Sequence, residues 1–475
     1  MNIAAFLDAA ATDDPARPAL IVDDEPVGYG ALQDEVGRWA ATLAAAGAAP
    51  GDRVALADWG GVRSTAVTLA AAHLGAATAQ MNPLLTSEEL AQLATVSGCR
   101  PIGVATEAAA DALRKALDGD VIGAASGSPA PPRAAGGAAD ALVLFTSGTT
   151  GVPKAVPISH DMLVARVTEY RPGFAADRPP TTGMMCVPSF HVGGMLGLLL
   201  SLWAGDTTVV LPRFDAGRWI DQVERHRVVS CFVVPTMLAR ILDHPRATTA
   251  DLSSLRAVSY GAAAAPVALV RRAMEMWPHV GFLNTFGQTE TLGGYTALTP
   301  EDHRDPSRIG SVGRALPGVE VRIVDPASGA DLPDGETGEV WVRSRQNVVE
   351  GWLHTGDLAR RAPDGYIYPA GRMSETINRG GEKFAPSEVA EAVRAHPAVA
   401  DVGVAGVPDE EMGERVGVAI IVRAGQDAPT LQQLRESCRG RLAPFKLPER
   451  LVVVDALPYN ETGKLPRRAV AALFS

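Results

Sequence analysis

The sequence predicts an α/β fold with largely parallel sheets, followed by a small antiparallel β subdomain and a compact C-terminal domain of mixed helix and strand. Three observations carry this. At 475 residues the chain is too long for one ordinary core. Helix-period segments and short β-branched runs alternate up to about residue 300. After Pro300 the texture changes to alternating strands separated by Asp-Gly and Pro-Gly turns. In chain order, apolar residues recur at helical spacing from about Asp34 to Ala46. Gly51-Asp52 then turns the chain into a strand at Arg53 to Ala57. Residues 123–137, rich in Ala, Gly, Ser and Pro, read as a loop leading to the apolar strand Ala141 to Leu144. Strands are expected at Thr207 to Leu211, Val228 to Val234, Leu255 to Ser259 and Val280 to Leu283. Helices are expected at Gly217 to His226, Pro235 to Leu242 and Pro266 to Trp277. In such a fold the ligand edge lies where the strands end. Strands at Val319 to Val324 and Gly338 to Val342 belong to the β subdomain. A helix at Ser387 to His396 and strands at Val402 to Ala405, Val416 to Val422 and Leu451 to Val454 belong to the last domain. The boundary is placed near residue 371, giving domains 1–370 (β subdomain about 305–370) and 371–475.

Composition narrows the function. With 47% hydrophobic and 20% charged residues the chain is neither disordered nor membrane-spanning. The net charge is −11 and Lys and Arg are scattered, so no footprint for a nucleic acid is present. Cys99, Cys186, Cys231 and Cys438 lie far apart without C-x-x-C spacing and read as reduced thiols of a cytoplasmic protein. The segment Met1 to Asp8 lacks a basic n-region and meets an acid early, so neither a signal peptide nor an anchor is expected.

The most informative stretch is Phe145-Thr146-Ser147-Gly148-Thr149-Thr150-Gly151-Val152-Pro153-Lys154, placed directly after the Ala141 strand. Its hydroxyls and glycines can converge on phosphate oxygens while Lys154 supplies charge. Gly148 and Gly151 are three apart and Pro153 precedes the lysine, so this is not a Walker A loop. A mobile surface loop has the same composition, and composition alone leaves both readings open.

The order of further motifs decides between them. Gly51-Asp52-Arg53-Val54, Asn82-Pro83, the Thr146 to Lys154 loop and Val187-Pro188-Ser189-Phe190-His191-Val192-Gly193-Gly194 come first. Tyr260-Gly261-Ala262-Ala263, Phe286-Gly287-Gln288-Thr289-Glu290, Leu353-His354-Thr355-Gly356-Asp357-Leu358 and Gly371-Arg372 follow. Gly380-Gly381-Glu382-Lys383 and Asn460-Glu461-Thr462-Gly463-Lys464 close the series. Over nearly the whole chain this resembles the adenylate-forming superfamily of acyl-CoA synthetases, adenylation domains and luciferases, on its acyl-CoA ligase branch. Ile377 to Lys383 is most similar to small-acid ligases of the oxalyl-CoA synthetase type.

The resemblance implies stacked sheets in the large domain, a mobile small domain, and chemistry in two halves. A carboxylate attacks the α-phosphate of ATP, with Mg²⁺, to give an acyl-adenylate and pyrophosphate. A thiol, that of CoA, then displaces AMP. It implies that Thr146, Ser147, Gly148, Thr149, Thr150 and Lys154 grip the β- and γ-phosphates, and that Thr289 reaches the α-phosphate. Glu290 is the Mg²⁺ ligand, a hard oxygen donor. Phe286 offers a ring to the adenine where most relatives carry Tyr. Asp357 accepts from the ribose and Arg372 adds a charge-assisted bond. Gly261, Ala262, Gly287, Gly380 and Gly381 are carried over as nucleotide-contacting positions. Lys464 contacts the acid and the α-phosphate, and His191 sits between acid pocket and thiol tunnel. Rotation about residues 372–374 switches between the halves. Taken singly each residue also has a structural reading: Asp357 as a turn residue, Thr289-Glu290 as a helix start, Lys464 as a surface lysine, His191 as a core histidine.

Four departures stand out. Ser374 occupies the hinge position that usually holds Asp or Lys. The segment between Val342-Arg343 and Gly351-Trp352 is short. Leu447 and Glu449 stand where some CoA ligases place cations, and Glu449 is expected to repel a 3′-phosphate. Ala155 and Ala262 replace common glycines. The acid pocket is expected from Phe190 to Met195, Val234-Pro235, Ser259 to Ala263 and Phe286 to Gly294. It is small or apolar, without a basic residue for a second carboxylate, and suits an aromatic or medium apolar acid. The leading expectation is an acid–CoA ligase. Alternatives are transfer to a carrier-protein thiol, nitrite-activating diazotase-like chemistry on an aryl amine as in bacterial secondary metabolism, and a non-catalytic nucleotide-binding protein.

Overall fold

Residues 1–126, 130–147, 153–169, 178–373, 376–379, 382–439, 441–460 and 465–474 are described by a computed structural model. The chain divides into two units. One is Met1–Pro306 with Ala315–Glu320 and Arg343–Leu353; the other is Ser307–Arg314, Val321–Val342 and His354–Ser475.

The first unit is built on two sheets. A six-stranded sheet runs Asp120–Ile122, Ile102–Ala105, Arg53–Ala57, Ala77–Met81, Asp140–Ser147, Pro153–Ser159. Every neighbouring pair in it is parallel except the last, an antiparallel hairpin. A nine-stranded sheet has a parallel centre of Thr207–Val210, Thr182–Met185, Ser230–Val233, Ala257–Gly261 and Gly281–Gln288. Antiparallel pairs flank it, Pro18–Val22 with Glu25–Gly28 on one side and Gly281–Gln288 with Gly293–Leu298 on the other. Ile102–Ala105 and Ala77–Met81 are buried along their whole length, as parallel strands covered on both faces must be.

One core cluster joins residues of both sheets through the helices Val62–His73 and Val192–Ala204, so the sheets stack with these helices between them. From Ser64 to Ala72 every residue of the first helix is buried, which its small Ala, Ser and Thr side chains permit. The sequence-derived strands fall within or beside the observed ones, and Arg53–Ala57 coincides.

The second unit holds a four-stranded sheet of Glu320–Val324, Thr337–Arg343, Leu353–Arg361 and Ile367–Arg372, its last pair antiparallel. A five-stranded sheet follows, in which Val399–Asp409 and Gly413–Val422 form a long hairpin. The helices Pro386–Arg394 and Leu431–Cys438 bury Val389, Val393, Leu434 and Cys438 in its core. Within the described residues no helix is long and apolar enough to cross a membrane.

Two buried histidines brace the first unit in the neutral form. His303 Nδ1 lies 2.7 Å from the Thr299 carbonyl, which can only accept, so that nitrogen carries the proton. Nε2 is left to accept from the Tyr260 hydroxyl at 2.9 Å. His160 Nδ1 accepts from the Ile3 amide at 3.2 Å. Burial lowers the pKa of both rings from the ordinary 6.5, for His160 with help from the N-terminal ammonium. Because the folded values are depressed, this stability is present above about 6.5 and is lost as pH falls through them. Thermal melts from pH 7.5 down to 5 should fall, each histidine contributing up to about 1.4 kcal/mol per pH unit. His303→Gln should flatten that slope; an identical slope in the variant would refute the assignment.

Candidate active site

The strand Asp140–Ser147 is fully buried from Ala141 to Leu144 and emerges at Phe145-Thr146. The returning strand Pro153–Ser159 pairs so that Thr146 lies opposite Lys154. The register therefore puts a half-buried hydroxyl and an exposed lysine side by side at the end of the hairpin nearest its connecting loop. Gly148, Thr149 and Thr150 of the expected phosphate grip lie outside the described residues, and of Ser147 only the backbone is described. The Thr146 hydroxyl donates to Glu290 Oε1 at 3.3 Å, tying the hairpin of one sheet to the strand end of the other.

Glu290 sits in a single 3₁₀ turn, Thr289–Thr291, directly after Gly281–Gln288. Gln288 and Thr291 cap the turn reciprocally, and the Thr291 hydroxyl reaches the Gly293 carbonyl at 2.6 Å. Leu292 at φ 49° and Gly293 at φ 93° then reverse the chain into Gly293–Leu298. The main-chain carbonyl of Glu290 accepts from the Val348 amide at 3.0 Å, so the shortened 343–351 segment supports this turn. Phe286, just upstream, packs edge-on against Tyr295 with ring centres 5.3 Å apart.

Neighbouring strand ends deliver the other motifs to the same sheet edge. Ala257–Gly261 ends at Ala262, which adopts φ 64°. This left-handed conformation explains why glycine suits the position better than the alanine present here. His191 is the N-cap residue of Val192–Ala204; its ring packs 4.6 Å from Phe190, which lies 5.9 Å from Trp59. The Arg213 guanidinium stands 5.4 Å over Trp59. Two cations therefore lie near the expected acid pocket where the sequence showed none. Exposed Arg213 is one, and buried Arg166, which donates to the Gly294 carbonyl at 2.6 Å, is the other. Sequence reasoning missed Trp59, Arg213 and Arg166. The rule that ligands gather at strand ends could have found the first two, since they follow Arg53–Ala57 and Thr207–Val210.

In the second unit Asp357 and Arg372 face each other across an antiparallel pair and form an ion pair at 2.8 Å. Asp357 is only 3% exposed, and its amide donates to the Thr355 hydroxyl at 3.1 Å. Glu449, expected as a charge facing a 3′-phosphate, is paired within the protein. It receives two hydrogen bonds of 2.8 Å from Arg379 and one of 3.0 Å from Arg415. Burial pushes its carboxyl up, but Arg379, the Val416 amide and Arg415 outweigh that and leave it below the ordinary value of 4.5. Lys446 is likewise engaged, with Glu388. Ser374, Gly380, Gly381 and Lys464 lie outside the described residues.

The strand-edge cluster and the hairpin bring hydroxyls, a lysine and a carboxylate to one sheet edge, and comparison with known proteins supplies the class. Residues 7–353 match the AMP-binding enzyme family and residues 388–464 match the AMP-binding enzyme C-terminal domain. The chain belongs to this family and is an adenylate-forming ligase. It is 30% identical to the fatty acid–acyl-carrier-protein ligase ScoC of Streptomyces coeruleorubidus, over 98% of this chain and 95% of that one. It is 32% identical to the indoleacetate–CoA ligase of Aromatoleum aromaticum, over 100% of this chain and 98% of that one. Among solved structures it resembles the o-succinylbenzoate–CoA synthetase of Bacillus subtilis in complex with ATP and magnesium ion. That likeness has a TM-score of 0.86 at 26% identity, covering 98% of each chain.

The Glu449 cluster yields a stability prediction. Glu449→Ala should destabilise the second unit by about 1–3 kcal/mol, because half-buried Arg379 loses both hydrogen bonds to that carboxylate while Arg415 keeps Asp409. The gap to wild type should narrow as pH falls through the lowered Glu449 value, below 4.5, where the wild-type carboxyl is also neutral. Urea unfolding of both proteins at pH 7 and pH 4 measures this; a gap that widens on acidification would contradict it.

Proposed function

We propose that this ligase activates a small to medium, aromatic or apolar carboxylic acid with ATP and Mg²⁺ and passes the acyl group to the thiol of CoA. The observation that carries the reading is the Thr146–Glu290 hydrogen bond, which unites the hydroxyl-rich hairpin with an acid-bearing turn. A carboxylate oxygen of the acid attacks the α-phosphorus, the bond to the pyrophosphate oxygen breaks, and an acyl-adenylate forms. The thiol sulfur then attacks the acyl carbon and AMP leaves with its oxygen.

Residue roles follow from chemistry. Thr146 and Lys154 hold the leaving pyrophosphate, Lys154 by charge. Ser147, Gly148, Thr149 and Thr150 complete that grip. Glu290 suits Mg²⁺, which takes one or two carboxylates together with phosphate oxygens and then neutralises charge developing on them. Among the described residues no group of three or more His, Cys, Asp or Glu could hold a metal ion. An ion at Glu290 therefore leans on substrate oxygens. Thr289 is set to reach the α-phosphate and Phe286 to flank the adenine. Asp357, oriented by Arg372, is set to accept from ribose hydroxyls. Lys464 is assigned the charge on acid and α-phosphate, and His191 the border of acid pocket and thiol path. A functional boundary near residue 371, with a hinge at 372–374, belongs to the same proposal. The small residues Gly193, Ala263 and Gly294 leave room for an apolar acid and Arg166 is committed to protein acceptors, which leaves exposed Arg213 as the cation nearest Trp59.

A second acceptor, a carrier-protein thiol, is supported by the likeness to ScoC over 98% of the chain. A panel of acids assayed for AMP release with CoA, with a phosphopantetheinylated carrier protein, with nitrite plus an aminoaryl acid, and with no acceptor separates these readings. CoA-stimulated release with an aromatic or medium-chain acid is the expected result; release indifferent to CoA would reject it. Lys464→Ala should lower adenylate formation by roughly 10²- to 10³-fold while leaving thiol transfer from preformed acyl-adenylate much less affected. Equal adenylate formation by the variant would remove Lys464 from that role.

A further inference from the structure

Arg166 is among the largest fully buried side chains of the molecule, at 2% exposure. It lies on the helix His160–Glu169, which follows directly from the hairpin strand Pro153–Ser159. A guanidinium carries a permanent charge and presents a rigid fork of donors, so burying one is costly unless each arm meets an acceptor. Here one arm donates to Gln346 Oε1 and another to the Gly294 carbonyl at 2.6 Å. Both acceptors follow the Glu290 turn in the chain, Gly294 in the strand that leaves it and Gln346 in the segment whose Val348 supports it.

Gly294 is the second residue of the strand that leaves the turn and pairs with Gly287, just before it. Gln346, itself 1% exposed, belongs to the shortened segment. Two residues later Val348 donates its amide to the Glu290 carbonyl at 3.0 Å. Ser344 stiffens the segment: its hydroxyl donates to Asn347 Oδ1 at 3.0 Å and accepts from the Gln346 amide at 3.2 Å. The helix bearing Arg166 is continuous with the hairpin whose Thr146 touches the Glu290 carboxylate. One buried cation thus ties the hairpin's helix to both the strand after the Glu290 turn and the segment beneath it.

We infer that Arg166, acting through Gln346 and the Gly294 carbonyl, is a positioning residue that sets the Glu290 carboxylate for a nucleotide-bound divalent cation. The inference rests on the proposed role of Glu290. It adds residues that no motif contains, and it gives the shortened 343–351 segment a function: it carries the glutamine that reads the arginine. A carboxylate held by one hydroxyl contact and a short turn is free to tilt, and partners behind a metal ligand limit that tilt. Loss of such partners typically costs roughly 10- to 100-fold in metal affinity or activity.

The test measures ATP binding by calorimetry in EDTA and again in saturating Mg²⁺, for wild type, Arg166→Met, Gln346→Leu and Gln346→Glu. Arg166→Met and Gln346→Leu should bind ATP in EDTA as wild type does, yet lose roughly 10- to 100-fold of the affinity seen with Mg²⁺. Gln346→Glu keeps an acceptor for the guanidinium and should retain the wild-type Mg²⁺ effect. A lowered melting temperature with an unchanged Mg²⁺ effect in Arg166→Met and Gln346→Leu would overturn the inference and leave Arg166 a structural residue. If Arg166→Met does not fold, Gln346→Leu decides by the same criterion. Absence of any Mg²⁺ effect in the wild type would instead overturn the proposed Glu290 role, and this inference with it.

Discussion

A Cβ atom on residue 287 would lie 1.9 Å from the Gly293 carbonyl oxygen, and one on residue 261 would lie 2.2 Å from the Thr285 carbonyl oxygen. Backbone meets backbone at both points, so any side chain there has to force two strands apart. The register shift between Phe286 and Gly287 occurs at this contact, and the Thr289–Thr291 turn follows at once. The direction of Glu290 depends on that turn, and the turn depends on the glycine pair. The sequence reading carried Gly261 and Gly287 over as nucleotide contacts; the protein's own packing already requires them.

Polar groups buried around this edge make it stiff rather than merely close-packed. Tyr260, at the end of one parallel strand, is held by His303, and His303 is oriented by the Thr299 carbonyl. Arg166 and Gln346 hold the strand Gly293–Leu298, two places along the same sheet, in the same manner. Each donor or acceptor in these sets would cost about 1–3 kcal/mol if left unsatisfied, so the sets hold together or fail together. Stiffness of this kind suits an edge at which charge must be stabilised without rearrangement during the reaction.

Local signals were enough for much of the fold. Arg53–Ala57 is bounded by Gly-Asp and built of alternating small apolar residues, and its limits were read correctly. The motif residues Thr146, Glu290, Phe286 and Gly261 could be named because each belongs to a contiguous string. Arg166, Gln346, Trp59 and Arg213 could not. Each stands alone in its segment, and Arg166 reaches a partner 180 residues away, a pairing that no periodicity or spacing encodes. The partners of Glu449 were not legible for a related reason. Its sign is visible in the sequence, whereas its neutralisation comes from Arg379 and Arg415, 70 and 34 residues distant.

That last point bears on how a formal charge in the sequence is to be read. A formal charge influences a ligand only through the field left after its own partners are counted, and Glu449 faces two guanidinium groups within hydrogen-bonding range. Asp409 offsets Arg415 in turn, and Arg450, more than half exposed, lies 4.0 Å from the same aspartate. Arg379, Arg415 and Arg450 thus stand against Glu449 and Asp409, a cluster whose balance is cationic rather than anionic before Glu411 is added at its exposed rim. The outward field there comes chiefly from the groups that water reaches, Arg450 and Glu411, because the pairs between them are closed on themselves. Glu449 is therefore a strut of the small domain, closing on Arg379 and Arg415, rather than an isolated negative charge.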